Sequence, residues 1–243
     1  MVKSLLFKIP SQLTDKSWRL GGPNCDKGRG MSYLKNIADA NASRPMFHGG
    51  IVEGASVRTP CGPRRVEMVR PGDLIVTRDN GLQPVLIAWS RRVSSAEMAL
   101  SPELSPVRIK ARALGPMLPQ QDILVAQDQQ VLVPGFRLQG KNDSEGRLVE
   151  AGVLAEASDS IYVDRARESV TYYTFVFEQQ QVFTVNGMPA DSFLPRKESI
   201  GLLNDVMREG LFQKFPKLKA RPTSYKRSTY KSLRKIRLET LSA

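Results

Sequence analysis

Histidine is all but missing from this 243-residue chain, which contains one, His48. Cysteine is almost as scarce, with Cys25 and Cys61 alone. A structural zinc site takes about four nitrogen or sulfur ligands, so this inventory argues against one, and no metal is expected. The two cysteines form no CxxC pair, which leaves two readings, free thiols or a Cys25–Cys61 disulfide. No apolar run reaches 18 residues, so no transmembrane helix is expected. Near the start, Lys8 interrupts the apolar Leu5-Leu6-Phe7 after three residues, too short for the core of a secretory signal. The default expectation is a soluble, cytoplasmic protein, with export by another route left open. Gly21-Gly22-Pro23 and Gly28-Arg29-Gly30 lack the GxxxxGK[ST] spacing of a phosphate loop, and no hydrophobic strand precedes them. No nucleotide or other cofactor is therefore expected.

What the chain does have is an uneven charge. The net value is +12. Residues 1–48 carry 8 basic and 3 acidic groups, residues 49–210 carry 18 and 20, and residues 211–243 carry 10 and 1. The basic character thus belongs to the two ends. In the last segment the cations Lys226, Arg227, Lys231, Arg234, Lys235 and Arg237 interleave with Phe212, Phe215, Tyr225 and Tyr230. Tyr230, Leu233 and Ile236 have helical spacing there. Such a segment suits nucleic-acid phosphates or an anionic membrane surface, because a concentrated positive field is enough for that contact. The alternative is a solvated helix that closes the fold.

Secondary-structure signals divide the chain in three. Residues 1–45 read as a loop-rich arm with a short helix over Ser32–Ala40. Residues 46–198 read as a β domain. Short apolar runs recur at Val66–Val69, Leu74–Thr77, Val85–Trp89, Val107–Ile109, Ile123–Val125, Val131–Val133, Ile161–Val163, Thr171–Phe177 and Val182–Val185, with no helical spacer. Asn80-Gly81 and Asn186-Gly187 suit tight turns, since both residue types accept positive φ. Gly140 to Arg147 is a polar loop. Residues 199–243 read as a helical, basic extension. Ser199 is placed to cap a helix whose apolar face is Leu202, Leu203, Val206, Met207 and Leu211, ending before Pro216.

Three blocks carry a resemblance. The first runs Val66-Glu67-Met68-Val69-Arg70-Pro71-Gly72-Asp73, followed by Thr77 to Pro84. The second spans Pro106 to Val133 and includes Ala113-Leu114-Gly115-Pro116. The third spans Tyr172 to Phe193 and ends Asn186-Gly187-Met188-Pro189-Ala190-Asp191-Ser192-Phe193. In this order, over about 140 residues, the blocks resemble the bacterial Hint domain, the module shared by Hedgehog C-terminal regions and inteins. The resemblance implies a mainly β fold, a Hint-type horseshoe of short, largely antiparallel strands, with one or two C-terminal helices.

It also implies a self-processing chemistry. A Cys or Ser at the first position of such a domain attacks the carbonyl of the preceding peptide bond, because only a thiol or hydroxyl can carry the acyl group. Histidines move the protons near neutral pH. Counting four residues back from Gly54 places Gly50 at the nucleophile. Gln129 stands at the histidine of a Ser-Pro-x-His-Arg turn, and Gln180 at the histidine of an Asp-x-His-Glu turn. Glycine cannot attack and a carboxamide cannot shuttle a proton, so the expectation is a Hint-like domain silent in self-cleavage, acting as a structural or binding module toward an unspecified protein partner.

The alternative is a self-processing protein that uses a non-standard nucleophile, and residual candidates for chemistry are His48, two residues before Gly50, and Cys61 at the tip of a Thr59-Pro60-Cys61-Gly62 hairpin. Asp128 and Glu178 flank the two glutamine positions and are candidates for a facing carboxylate pair. If the site geometry survives, Gly50→Cys with Gln129→His and Gln180→His is expected to restore some cleavage.

Overall fold

The computed structural model describes residues 49–138 and 146–233. His48, Cys25, Arg234, Lys235, Arg237, Ile236, the arm over 1–45 and most of the polar loop after Gly140 lie outside the described residues.

The described residues are mainly β. Their strands are β1 (Ile51–Val52), β2 (Ser56–Thr59), β3 (Gly62–Arg65), β4 (Leu74–Thr77), β5 (Gly81–Pro84), β6 (Ile87–Ser94), β7 (Val107–Ile109) and β8 (Ile123–Val125). They continue with β9 (Gln130–Val133), β10 (Arg147–Glu150), β11 (Ile161–Val163), β12 (Ser169–Val176), β13 (Val182–Val185), β14 (Met188–Asp191) and β15 (Ser232–Leu233). Short helices are α1 (Ser95–Leu100), α2 (Ala151–Ala155), α3 (Lys197–Gly201), α4 (Asp205–Lys214) and α5 (Lys217–Ala220). One sheet has the order β11-β7-β8-β1-β12-β6 and the other β15-β10-β9-β14-β13-β2-β3, with β4 bridging β13 and β5. All paired strands run antiparallel except β10 and β15.

β12 is the longest seam, with eight residues registered against β6 from Ser169↔Ser94 to Val176↔Ile87. Its side chains alternate between two cores, as a pleated strand requires. Tyr173 and Phe175 pack into a cluster with Ile51, Val57, Val125 and Phe183. Val170, Tyr172 and Val176 pack on the other side with Phe193, Ile200, Leu211, Leu218 and Tyr225. Burying an aromatic or branched aliphatic side chain is worth about 1.5–3 kcal/mol, so a strand buried on both faces anchors both layers.

Asn80-Gly81 closes the β4–β5 hairpin, and Asn186-Gly187 closes β13–β14 with both residues at positive φ, the I′ geometry that matches strand twist. Several elements differ from expectation. Val66–Met68 is a 3-10 turn rather than a strand. Two helices, α1 and α2, do interrupt the β run. α1 is fixed by a capping box between Ser94 and Glu97. The C-terminal helix expected from Ser199 is broken in two, and α5 makes a third. Ser199 lies inside α3, its Oγ donating to the Leu194 carbonyl, while Asn204 caps α4 by accepting from the Met207 N–H. Asn204 competes for the backbone as a cap and so starts a new helix where the apolar spacing alone reads through. The helical spacing at Tyr230 and Leu233 also gives way, because Leu233 belongs to β15, which adds to the edge of β10.

Candidate functional site

Gly50, Gln129 and Gln180 are far apart in sequence, and the strand pairings bring them to one place. Ile51 of β1 sits opposite both Tyr173 and Val125, so Gly50 lies beside the end of β8. The Gly50 carbonyl accepts from the Ala126 N–H at 2.8 Å, and the turn after β8 closes with the Gln129 N–H on the Ala126 carbonyl at 3.0 Å. β9 then pairs with β14 through Val131↔Ala190, which sets Asp191 next to Gln129. On the other side Val182 is registered against Asp191, and Gln180 lies two residues before it.

Asp191 is the hub. The Gln129 Nε2 group donates to Asp191 Oδ1 at 2.7 Å, and the Gln180 Nε2 group donates to Asp191 Oδ2 at 3.0 Å. Gln129 Nε2 also lies 2.9 Å from the Gln130 carbonyl and 3.0 Å from the Asp191 carbonyl. Three oxygens around Nε2 fix the orientation of that amide, so Gln129 Oε1 must face the other way. It accepts the Gly50 N–H at 2.8 Å. Gln129 and Gln180 are each 4% exposed, so both amides need these partners. Burial pushes the Asp191 carboxyl up to about 7, against the opposing pull of the Gln180 hydrogen bond and Arg196, with the nearby Asp128 adding to the rise.

A side chain at position 50 forces its surroundings to shift. Gly50 has φ +141°, and a Cβ there would stand 2.9 Å from Tyr172 Cβ. Gly49 has φ +76°, and its Cβ would stand 2.8 Å from Gln129 Oε1. Tyr172 is itself fixed, packed in the outer core with its hydroxyl donating to the Leu104 carbonyl at 2.7 Å. Burial, with the Asp128 charge nearby, holds its phenol above the usual range.

Beside Gly49 opens a cavity of about 520 Å³ lined by Asp128, Gln129, Asp191, Thr174 and a set of aromatics. Asp128 is thus at the site, but Glu178 is exposed in the turn after β12 and does not line the cavity. The carboxylate near Asp128 is Asp191, because the β9–β14 pairing carries Asp191 there. Asp191 and Thr174 were not singled out from the sequence. The available signal was an acidic residue at the end of the third block, closing the apolar strand β14. Cys61 is an exposed free thiol in the β2–β3 turn, and it is not among the residues lining the cavity.

The C-terminal residues close the Gln180 side. The Gln180 N–H donates to the Lys226 carbonyl at 3.0 Å, and Gln180 Oε1 accepts the Ser228 N–H at 3.1 Å. Tyr225 is buried, its ring 5.5 Å from Phe215 and its hydroxyl donating to the Phe177 carbonyl at 2.6 Å. The Tyr230 hydroxyl donates to Asp79 Oδ1 at 2.7 Å. Tyr225 is therefore a core residue, and Phe212 and Phe215 are half-buried against the same cluster rather than exposed platforms, while the side chains of Lys226, Arg227 and Lys231 are exposed. Among the described residues no helix is long and apolar enough to cross a membrane, and no group of three His, Cys, Asp or Glu is placed to hold a metal.

Comparison with known proteins bears on the scaffold. No curated protein matches the chain. Among solved structures, a bacterial intein-like domain from Clostridium thermocellum is similar at 14% identity, covering 59% of this chain and 97% of that one with a TM-score of 0.38. The gp41-1 intein is similar at 14% identity over 58% of this chain and 97% of its own, with a TM-score of 0.35. The MchDnaB-1 intein is similar at 12% identity over 58% and 98%, with a TM-score of 0.36. The Hint domain model matches residues 50–197, more than half of the chain. The protein belongs to the Hint domain family.

Proposed function

We propose that this is a Hint domain silent in self-cleavage, retained as a structural or binding module. The observation that carries the reading is the hydrogen bond from the Gly50 N–H to Gln129 Oε1. Cleavage before residue 50 needs an attacking thiol or hydroxyl and a proton delivered to the amide nitrogen as it leaves. Glycine supplies no nucleophile. The group facing the nitrogen is an acceptor, the reverse of the polarity that expulsion requires. Both hydrogens of the Gln129 amide are directed to Asp191 and its neighbours. A carboxyl that titrates near 7 is what acid–base catalysis uses, yet Asp191 reaches Gly50 only through a carboxamide, which cannot relay a proton.

The closeness of Tyr172 to Gly50 makes the loss self-consistent. Restoring Cys at 50 with His at 129 and 180 puts a Cβ into Tyr172, so the triple variant is expected to remain inert, in contrast to the expectation from the sequence blocks. The test is the intact mass of the purified chain held for days at pH 7 with added thiol. An unchanged mass supports the reading, and a fragment boundary at Gly49–Gly50 overturns it.

The exposed side chains of Lys226, Arg227 and Lys231 favour a second, subsidiary reading, electrostatic contact with a polyanion. Charge-reversing all three and finding unchanged, salt-insensitive retention on heparin would remove it.

A further inference from the structure

The cavity beside Gly49 has walls of two kinds. Phe175, Phe183 and Phe193 supply apolar surface. Among the described residues, Asp128, Glu150, Asp191 and Glu198 supply four carboxylates from four separate segments, and Arg196 supplies a cation. That excess is notable in a chain whose net charge is +12. The carboxylates are spread around the wall, and among the described residues no three acidic, histidine or cysteine groups come close enough to hold a metal ion. Spread negative charge beside aromatic surface matches an elongated organic cation rather than a compact inorganic one.

A second observation points to an occupant. Thr174 lines the cavity and is 5% exposed, and its Oγ1 has no hydrogen-bond partner among the described residues. Buried hydroxyls are nearly always satisfied, because an unmade bond retains the full desolvation cost.

We propose that this cavity binds a primary ammonium carried on a short aliphatic stem, with the head group among the carboxylates and the stem along the phenylalanines. This rests on the reading of the domain as a binding module. The volume, about 520 Å³, suits a ligand of side-chain to small-molecule size. The same chemistry is offered by a free diamine and by a lysine side chain in a peptide.

The test is calorimetric titration of the full chain at pH 8, above the value near 7 to which burial pushes Asp191, with 1,5-diaminopentane, with Nα-acetyl-lysine methylamide and with 1-pentanol. Trp89, whose ring lies 5.2 Å from that of Phe193, supplies a fluorescence readout in parallel. The expected result is saturable binding of at least one amine, at least tenfold tighter than the alcohol. Preference for the diamine assigns a free metabolite-sized amine, and preference for the lysyl compound assigns a peptide side chain. Glu150→Gln with Glu198→Gln, both exposed positions, is expected to weaken binding at least fivefold. Thr174→Val is expected to weaken it about threefold, in line with the loss of one buried hydrogen bond. Absence of saturable binding by both amines, equal affinity for the alcohol, or indifference to the double Glu variant would overturn the inference. Intact mass on the same samples separates the two readings. Cleavage or an appended amine contradicts silence, whereas an unchanged mass without binding contradicts only the cavity assignment.

Discussion

Gln129 and Gln180 share one carboxylate and differ in what they hold with the rest of the amide. Gln129 turns its oxygen to the Gly50 N–H. Gln180 turns its oxygen to the Ser228 N–H and its own N–H to the Lys226 carbonyl. One glutamine therefore fixes the peptide at the domain's start, and the other fastens the chain's C-terminal segment. Two positions at which the resemblance places histidines are opposite ends of one hydrogen-bond network centred on Asp191. Both amides are thus engaged at each end, one by the Gly50 N–H and one by the Ser228 N–H.

The largest expected effect tests the Gln180 side. Removing residues 221–243 takes away Tyr225, its bond to Phe177 and the β15 edge. Deleting a buried aromatic alone costs about 3–5 kcal/mol, so the truncated chain should lose at least that much in urea unfolding. If stability is unchanged, the segment is not a fastener and the contrast between the two glutamines fails.

On the Gln129 side, Gly50→Cys combines positive φ with the Tyr172 contact. Backbone strain of this kind costs about 1–3 kcal/mol and overpacking a similar amount, so a loss of roughly 3 kcal/mol is expected. Tyr172→Gly in the same background should show non-additivity, because it removes the Cβ that the new side chain strikes. Full additivity would mean that the backbone has moved away.

Gln129→Ala leaves the Gly50 N–H without its acceptor. A loss of about 1–3 kcal/mol is expected from chemical denaturation. Gln180→Ala should cost a comparable amount while also speeding exchange of the Ser228 amide proton.

The smallest effect concerns pH. The folded-state carboxyl of Asp191 titrates near 7, above its unfolded range. Its contribution to stability is therefore fully present below the unfolded value and falls as pH rises toward about 7, where the unfolded state has already released its proton. Asp73 and Asp164 slope the other way, since Arg70 and Arg64 around the first and Arg108 at the second hold them low, so the raw curve mixes signs. The difference between the native chain and Asp191→Asn should isolate the falling part between about pH 4 and 7. A flat difference would show that Asp191 is not a buried hub.

Much of the scaffold was legible because it rests on local signals. Leu74–Thr77, Val107–Ile109, Ile123–Val125, Ile161–Val163 and Val182–Val185 are bounded by turn residues, and each is a strand as read. The short strands Gly62–Arg65 and Met188–Asp191 carry proline or paired arginines and give no alternation to read. Helix α3–α4 was misread as one piece because Asn204 acts through a cap, not through spacing. At the site, Gly50, Gln129 and Gln180 were placed by block counting, and the strand pairings do bring them together. Asp191 and the Tyr172 contact were invisible because each depends on which strand lies opposite, and a single sequence does not print that register.

The most direct check remains intact mass after prolonged incubation at pH 7 with thiol. The account predicts one species at the full 27.1 kDa. A pair of fragments meeting at Gly49–Gly50, or a thiol adduct ending at Gly49, would contradict it.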